Sequence, residues 1–326
     1  MRENSALSSN KVWLKKENKF KKNDKIYAFN PTKKLTALKL ATDNRSKDQA
    51  ANDNATIGIH IGTDTFGKDI DFSVGGISVA HHAMIAGQSG KGKSNLLNLL
   101  VANAIKKYTS DQLQFFIIDC SLSSFFEFKD STSVKNIIRS DNPDEIKTAI
   151  DVLADELQIR QNLCKTDEVE SIEDYRIKNP HIKIHNLICV IDEFHILYTG
   201  TLKQSDYFDK ILIDKIVRIG RKYGVHLIVA TQSLGGGVRR VFLDNIPLRI
   251  AFGMTSDQSN SFLSIGNTDA SNLPVGEIIY NDSNGIKDAN KHLTIQLRRK
   301  TEIISDVSLS NKNNNVLNRN SLVTDI

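Results

Sequence analysis

The 326-residue sequence lacks any run approaching roughly 18 apolar residues, so no part of it reads as a membrane-spanning helix. Its opening, MRENSALSSNKVWLKK, has no apolar core of the kind a secretory signal carries. Cysteine is sparse: Cys120, Cys164 and Cys189 show no metal-ligand spacing, and Cys189 lies within an apolar run. That usage argues against a thiolate metal site and predicts buried, reduced thiols in a cytoplasmic protein. No internal repeat is visible.

What is present is ordinary for a globular chain, 40% hydrophobic and 25% charged, and long enough for one large domain or two small ones. The charge is uneven. Residues 1–54 hold 13 of the 43 Lys+Arg and 6 of the 38 Asp+Glu, so this segment carries +7 and the remainder −2. It reads either as a basic patch for an anionic partner or as a solvated linker. Residues 305–326 read as a disordered tail, which leaves 55–304 as the folded domain.

Within that domain, 56–64 and 69–76 alternate apolar and polar residues around a turn and predict a β-hairpin. From His82 onward, apolar strands at 82–87, 114–119, 186–192, 225–231, 248–254 and 277–280 alternate with helices over 94–107, 143–165 and 207–223. The alternation predicts an α/β fold, a mostly parallel sheet with helices on both faces.

The chemistry concentrates in AGQSGKGKSNLL. A phosphate-binding loop requires Gly, four free residues, then Gly-Lys-Ser/Thr. Gly87, Gln88, Ser89, Gly90, Lys91, Gly92, Lys93 and Ser94 meet it, and Asn95 follows in the helix. Lys91 is followed by Gly92 rather than a hydroxyl, so Lys93 is the phosphate lysine and Ser94 the Mg²⁺ ligand. Glycines let backbone N–H groups turn toward an anion, and the strand before and helix after give the usual setting. Hydrolysis needs more, and LICVIDEFHIL supplies it. An apolar strand ends in Asp192, which can share the metal, and Glu193, which can act as general base. A second strand ends in Thr231 and Gln232, and Gln232 can sense the γ-phosphate.

Residues 56–280 carry five such stretches in order: HHAMIAGQSGKGKSNLLNLL, LQIRQNLCKTDEVESIEDY, LICVIDEFHIL, GRKYGVHLIVATQ and DNIPLRIAFGMTSDQSNSFLSIG. Together they resemble the FtsK/SpoIIIE motor domain, of the FtsK–HerA group of RecA-like P-loop ATPases. The resemblance implies an ATP- and Mg²⁺-dependent translocase, working as a hexameric ring on double-stranded DNA. It also implies that Arg249, from a neighbouring subunit, acts as an arginine finger, with Arg221 and Arg239 in reserve. Loops 235–240 and 267–276 are the expected DNA contacts. The chain departs from the family at Asp119-Cys120-Ser121, Ser233-Leu234-Gly235 and Asp257-Gln258-Ser259. Two other readings stay open: a type VII secretion-like protein-export ATPase, and a nucleotide-binding module of a larger defence or conjugation complex.

Overall fold

The computed structural model describes residues 56–296, apart from 77, 79 and 233–239, together with residue 302. The basic segment 1–54, the tail 305–326, the departure at 233–235 and the reserve arginine Arg239 therefore lie outside the described residues. The strands are β1 (Thr56–Asp64), β2 (Asp69–Gly75), β3 (Ala83–Ala86), β4 (Leu113–Asp119) and β5 (Val134–Arg139), then β6 (Asn186–Asp192), β7 (Val225–Thr231), β8 (Leu248–Ala251), β9 (Glu277–Asn281) and β10 (Lys291–Ile295). The helices are α1 (Lys93–Lys107), α2 (Pro143–Thr166), α3 (Ile172–Lys178), α4 (Leu202–Ile211), α5 (Arg240–Asn245) and α6 (Ser256–Phe262).

All ten strands join one sheet, in the order β2-β1-β10-β9-β8-β3-β7-β6-β4-β5. From β8 to β5 every pairing is parallel, and from β8 outward to β2 every pairing is antiparallel. The parallel strands β6 and β7 are buried at every residue, as their unbroken apolar runs require when helices cover both faces. One apolar layer joins α2, Phe208 of α4, α5 and α6 to one face of the sheet. The other joins Leu96, Leu97, Leu100, Val101 and Ile105 of α1 to the opposite face and to the hairpin strands β1 and β2.

Local sequence explains the helix starts. Asn142 caps α2 by accepting from the Asp144 N–H, with Pro143 at the first helical position. Ser171, Thr201 and Thr255 each form a capping box at α3, α4 and α6. Helix α1 is different, because Gly92 precedes it and offers no capping side chain.

Three features differ from the sequence expectation. The hairpin does not stand apart from the α/β sheet: β1 pairs with β10 and extends it. Lys107, at the end of α1, donates to the Gly58 carbonyl at 2.6 Å, fastening the hairpin to the helix. The expected helix over 207–223 is broken into α4, a π-helical turn over Leu212–Val217 and a 3₁₀ turn over Gly220–Tyr223. Leu212, Ile213, Ile216 and Val217 of the widened turn are all buried in the core. The strands β5 and β10 and the short helices α3, α5 and α6 were not foreseen. Cys120, Cys164 and Cys189 are free and buried, as their spacing suggested.

Candidate active site

The loop from Gly87 to Gly92 leaves the tip of β3 and enters α1. Two of its glycines are forced. A Cβ on Gly87 would fall 2.4 Å from Phe252 Cβ, and Gly92 sits at φ 113, an angle that side chains rarely allow. Gly92 brings no capping side chain and the first turn of α1 holds no acidic residue, so the start of the helix supplies no negative charge of its own to its leading N–H groups. This is an anion-binding arrangement. Lys93 is buried, and its Nζ donates to the loop's own carbonyls, Gly87 at 2.8 Å and Gln88 at 3.3 Å. Burial lowers its pKa, while Glu193 and Asp192 pull the other way. The loop is braced from the side: Gln88 N–H donates to the Gly253 carbonyl at 3.1 Å, and Lys91 Nζ to the Leu273 carbonyl at 3.0 Å. The two lysines of the loop differ in direction. Lys93 points into the loop and Lys91 points away from it.

Asp192 and Glu193 stand at the tip of β6, with β7 between them and β3. Asp192 is fully buried; its Oδ1 accepts from the Glu193 N–H at 3.0 Å, and its Oδ2 has no hydrogen-bond partner among the described residues. Burial, then the charges of Glu193 and Asp119, push its pKa up to about 7. A carboxylate so placed is short of positive charge, and a divalent cation would supply it. Glu193 takes a left-handed backbone, φ 53 and ψ 47. Its carboxylate accepts from the Gln232 side-chain amide and from the Gln232 N–H at 3.3 Å. His195 Nδ1 lies 3.2 Å from Glu193 Oε2. Strand pairing therefore brings Lys93, Ser94, Asp192, Glu193 and Gln232 to one edge of the sheet.

Arg249 does not join them. It lies on β8, buried, and its guanidinium donates to the Phe262 carbonyl at 3.0 Å, to that of Leu263, and to that of Leu243 at 2.6 Å. Burial lowers its pKa to about 10. In this conformation the group ties the ends of α5 and α6 to its own chain. The reserve residue Arg221 is exposed on the 3₁₀ turn before β7, at the far end of the strands. Loop 267–276 also faces inward in part, with Ala270 buried and Asn267 donating to the Gly285 carbonyl at 2.7 Å.

Two residues escaped the sequence reading. His195 follows the Asp-Glu pair by a single turn, and only the fold reveals its contact. Asp119, in register with Asp192 on the neighbouring strand, is buried and held by the Ser121 hydroxyl at 2.6 Å and by Arg139 Nε at 3.3 Å. An acidic residue ending an apolar strand was the available signal for it.

The fold and the site define a P-loop ATPase of the class with a strand inserted between the phosphate loop and the acidic strand tip. Residues 42–236, more than half of the chain, match the model of the FtsK/SpoIIIE family, and the chain belongs to that family. The DNA translocase FtsK of Helicobacter pylori is 31% identical over 175 residues, covering 52% of this chain and 20% of the relative. The chain spans only a fifth to somewhat over a quarter of the length of the curated relatives it matches. Among solved structures, the pCW3 conjugation coupling protein TcpA, a monomer form with ATPγS, aligns with a TM-score of 0.62 at 19% identity, over 78% of this chain and 70% of its own. The cytoplasmic domain of the Thermomonospora curvata type VII secretion ATPase EccC aligns with a TM-score of 0.64 at 22% identity, over 79% and 31%. These two likenesses concern the fold. Among the described residues, no helix is long and apolar enough to cross a membrane.

Proposed function

We propose that the chain is an ATP-hydrolysing motor that translocates double-stranded DNA in the cytoplasm, working as a hexameric ring. The observation that carries this reading is the meeting of Lys93, Asp192, Glu193 and Gln232 at one sheet edge in a member of the FtsK/SpoIIIE family. In this reading Lys93 leaves the carbonyls of Gly87 and Gln88 and pairs with the outer phosphates of ATP. The N–H groups of Ser89, Gly90 and Gly92 to Asn95 surround the remaining phosphate oxygens. Ser94 and Asp192 would hold Mg²⁺, and the unpartnered buried Oδ2 of Asp192 fits that role. When bound, the ion neutralises charge on the phosphate oxygens. Glu193 takes a proton from the attacking water, and Gln232 exchanges its contact with Glu193 for one with the γ-phosphate. A positive group supplied by a neighbour remains part of the reading, with Arg221 the exposed candidate and Arg249 requiring release from three carbonyls. The +7 charge of residues 1–54 adds salt-sensitive attraction to DNA phosphates.

The deciding experiment is ATP turnover by the full chain with and without duplex DNA. Strong stimulation by duplex DNA is expected. Stimulation by an exported protein substrate alone would instead favour the secretion-type reading, and absence of turnover a binding module.

A further inference from the structure

We propose that His195 is a positioning residue for Glu193, fixing which carboxylate oxygen meets the water; the idea rests on Glu193 being the general base. A carboxylate only accepts hydrogen bonds and offers about four lone-pair sites, two on each oxygen. Among the described residues, Oε1 of Glu193 accepts from the Gln232 side-chain amide. Its Oε2 is within reach of two donors, the Gln232 N–H at 3.3 Å and His195 Nδ1 at 3.2 Å. Oε2 is thereby filled, and one site is left on Oε1 for the proton of a water.

The histidine is well placed for this task. It sits in the 3₁₀ turn Phe194–Tyr198, directly after the left-handed Glu193, and that turn folds the imidazole back over the tip of β7. There the Thr231 hydroxyl lies 3.3 Å from the same Nδ1, where its oxygen can accept only a share of the one N–H that is directed at the base on β6. The side chain of Glu193 is 8% exposed and that of His195 is 30% exposed. The base is therefore sheltered, while the residue that aims it borders solvent and can be changed without opening the core. Gln232 cannot do the work alone, because its side-chain amide is the group proposed to turn to the γ-phosphate. Once it turns, Oε1 gains a site, and the contact from His195 keeps Oε2 from exchanging places with it. Misaiming a base costs rate rather than substrate affinity.

Since the carboxylate accepts, Nδ1 must carry the proton. Nitrogen-15 NMR of the imidazole in the nucleotide-free full chain is expected to show His195 protonated at Nδ1 in the wild type and altered in Glu193→Gln. A neutral ring protonated at Nε2 would overturn the proposal, whether or not the protein turns over ATP. The kinetic arm uses ATP hydrolysis. Glu193→Gln is expected at least tenfold slower than wild type. His195→Ala is expected to lower kcat about tenfold with KM within about twofold. His195→Asn, whose amide N–H can stand where Nδ1–H stood, should regain most of the loss. In the Glu193→Gln background, His195→Ala should add nothing further. Three results would overturn the assignment: unchanged kcat in His195→Ala, a His195→Asn no better than Ala, or an equal loss in the Glu193→Gln background. A wild type without turnover would count against hydrolysis itself, and the NMR arm would still decide the contact.

Discussion

The two rims of the parallel sheet treat buried charge in opposite ways. At the rim where the strands begin, Glu156 on α2 is clasped by Lys135 at 2.8 Å and by Arg160 Nε at 3.0 Å. Arg160 also donates to the carbonyls of His185 at 2.8 Å and Tyr223 at 3.0 Å, joining α2 to the entries of β6 and β7. Burial pushes the Glu156 pKa up, but the two cations outweigh it and hold the group well below the usual carboxylate range. At the rim where the strands end, Asp192 is more deeply buried, has one oxygen without a hydrogen-bond partner among the described residues, and is held up at about 7. Charge at the first rim is neutralised within the chain. At the second, Asp119 is likewise paired, with Arg139, but the charge of Asp192 is left for something that binds.

The comparison is sharpened most by the lysines of the second rim. Lys93→Ala is expected to abolish nucleotide binding and turnover, a loss of at least about 100-fold. Lys91→Ala should be mild, because its ammonium contacts only the Leu273 carbonyl among the described residues. Affinity and turnover measured for both variants check this, and equal losses would break the distinction.

Next comes the first rim. Glu156→Gln leaves two cations facing each other and should cost about 3 kcal/mol of stability by denaturant unfolding. ATP turnover per folded molecule should be unchanged. Because the Glu156 pKa is lowered on folding, its contribution is present above the ordinary carboxylate value and fades as pH falls.

The smallest effect has the opposite sign. The Asp192 pKa is raised on folding, so the stability tied to its protonated form is complete below about pH 4 and is lost as pH rises through about 7. Asp192→Asn should therefore match wild type near pH 4. It should be the more stable of the two at pH 8 without ligand, while losing Mg²⁺-dependent nucleotide binding. Thermal unfolding across pH measures the first effect and nucleotide titration with and without Mg²⁺ the second. A wild type that is the more stable of the two at pH 8 would show that the second rim is internally compensated after all.

How much of this could be read beforehand depended on whether a segment's surroundings were implied by its own residues. Strands β6 and β7 were legible because a run buried on both faces must be apolar throughout. The phosphate loop was legible because its glycines and its lysine answer local demands of backbone and charge. Strand β5, VKNIIR, was missed because at the sheet edge all but one of its residues are only partly buried, so polar residues dilute the run. Strand β10, KHLTI, is short and exposed on alternate residues. The contacts of Arg249 were hidden for a different reason. Its partners are backbone carbonyls at helix ends, and carbonyls leave no mark in a sequence. The contact between His195 and Glu193 depends on a turn tighter than an α-helix, and the spacing of two residues does not announce it.

The bracing of the phosphate loop has a mechanical consequence. The loop is not a free flap on the end of β3. It is stitched by Gln88 to Gly253, just beyond β8, and by Lys91 to Leu273, on the way to β9. A Cβ at Gly253 would press to 2.5 Å on the Leu273 carbonyl and to 3.0 Å on Lys91, so these three pieces share one small volume. A pull on the stretch between β8 and β9 reaches the phosphate loop through these two hydrogen bonds. The same linkage runs backward, so a loop that tightens around an anion draws on that stretch as a tendon draws on bone.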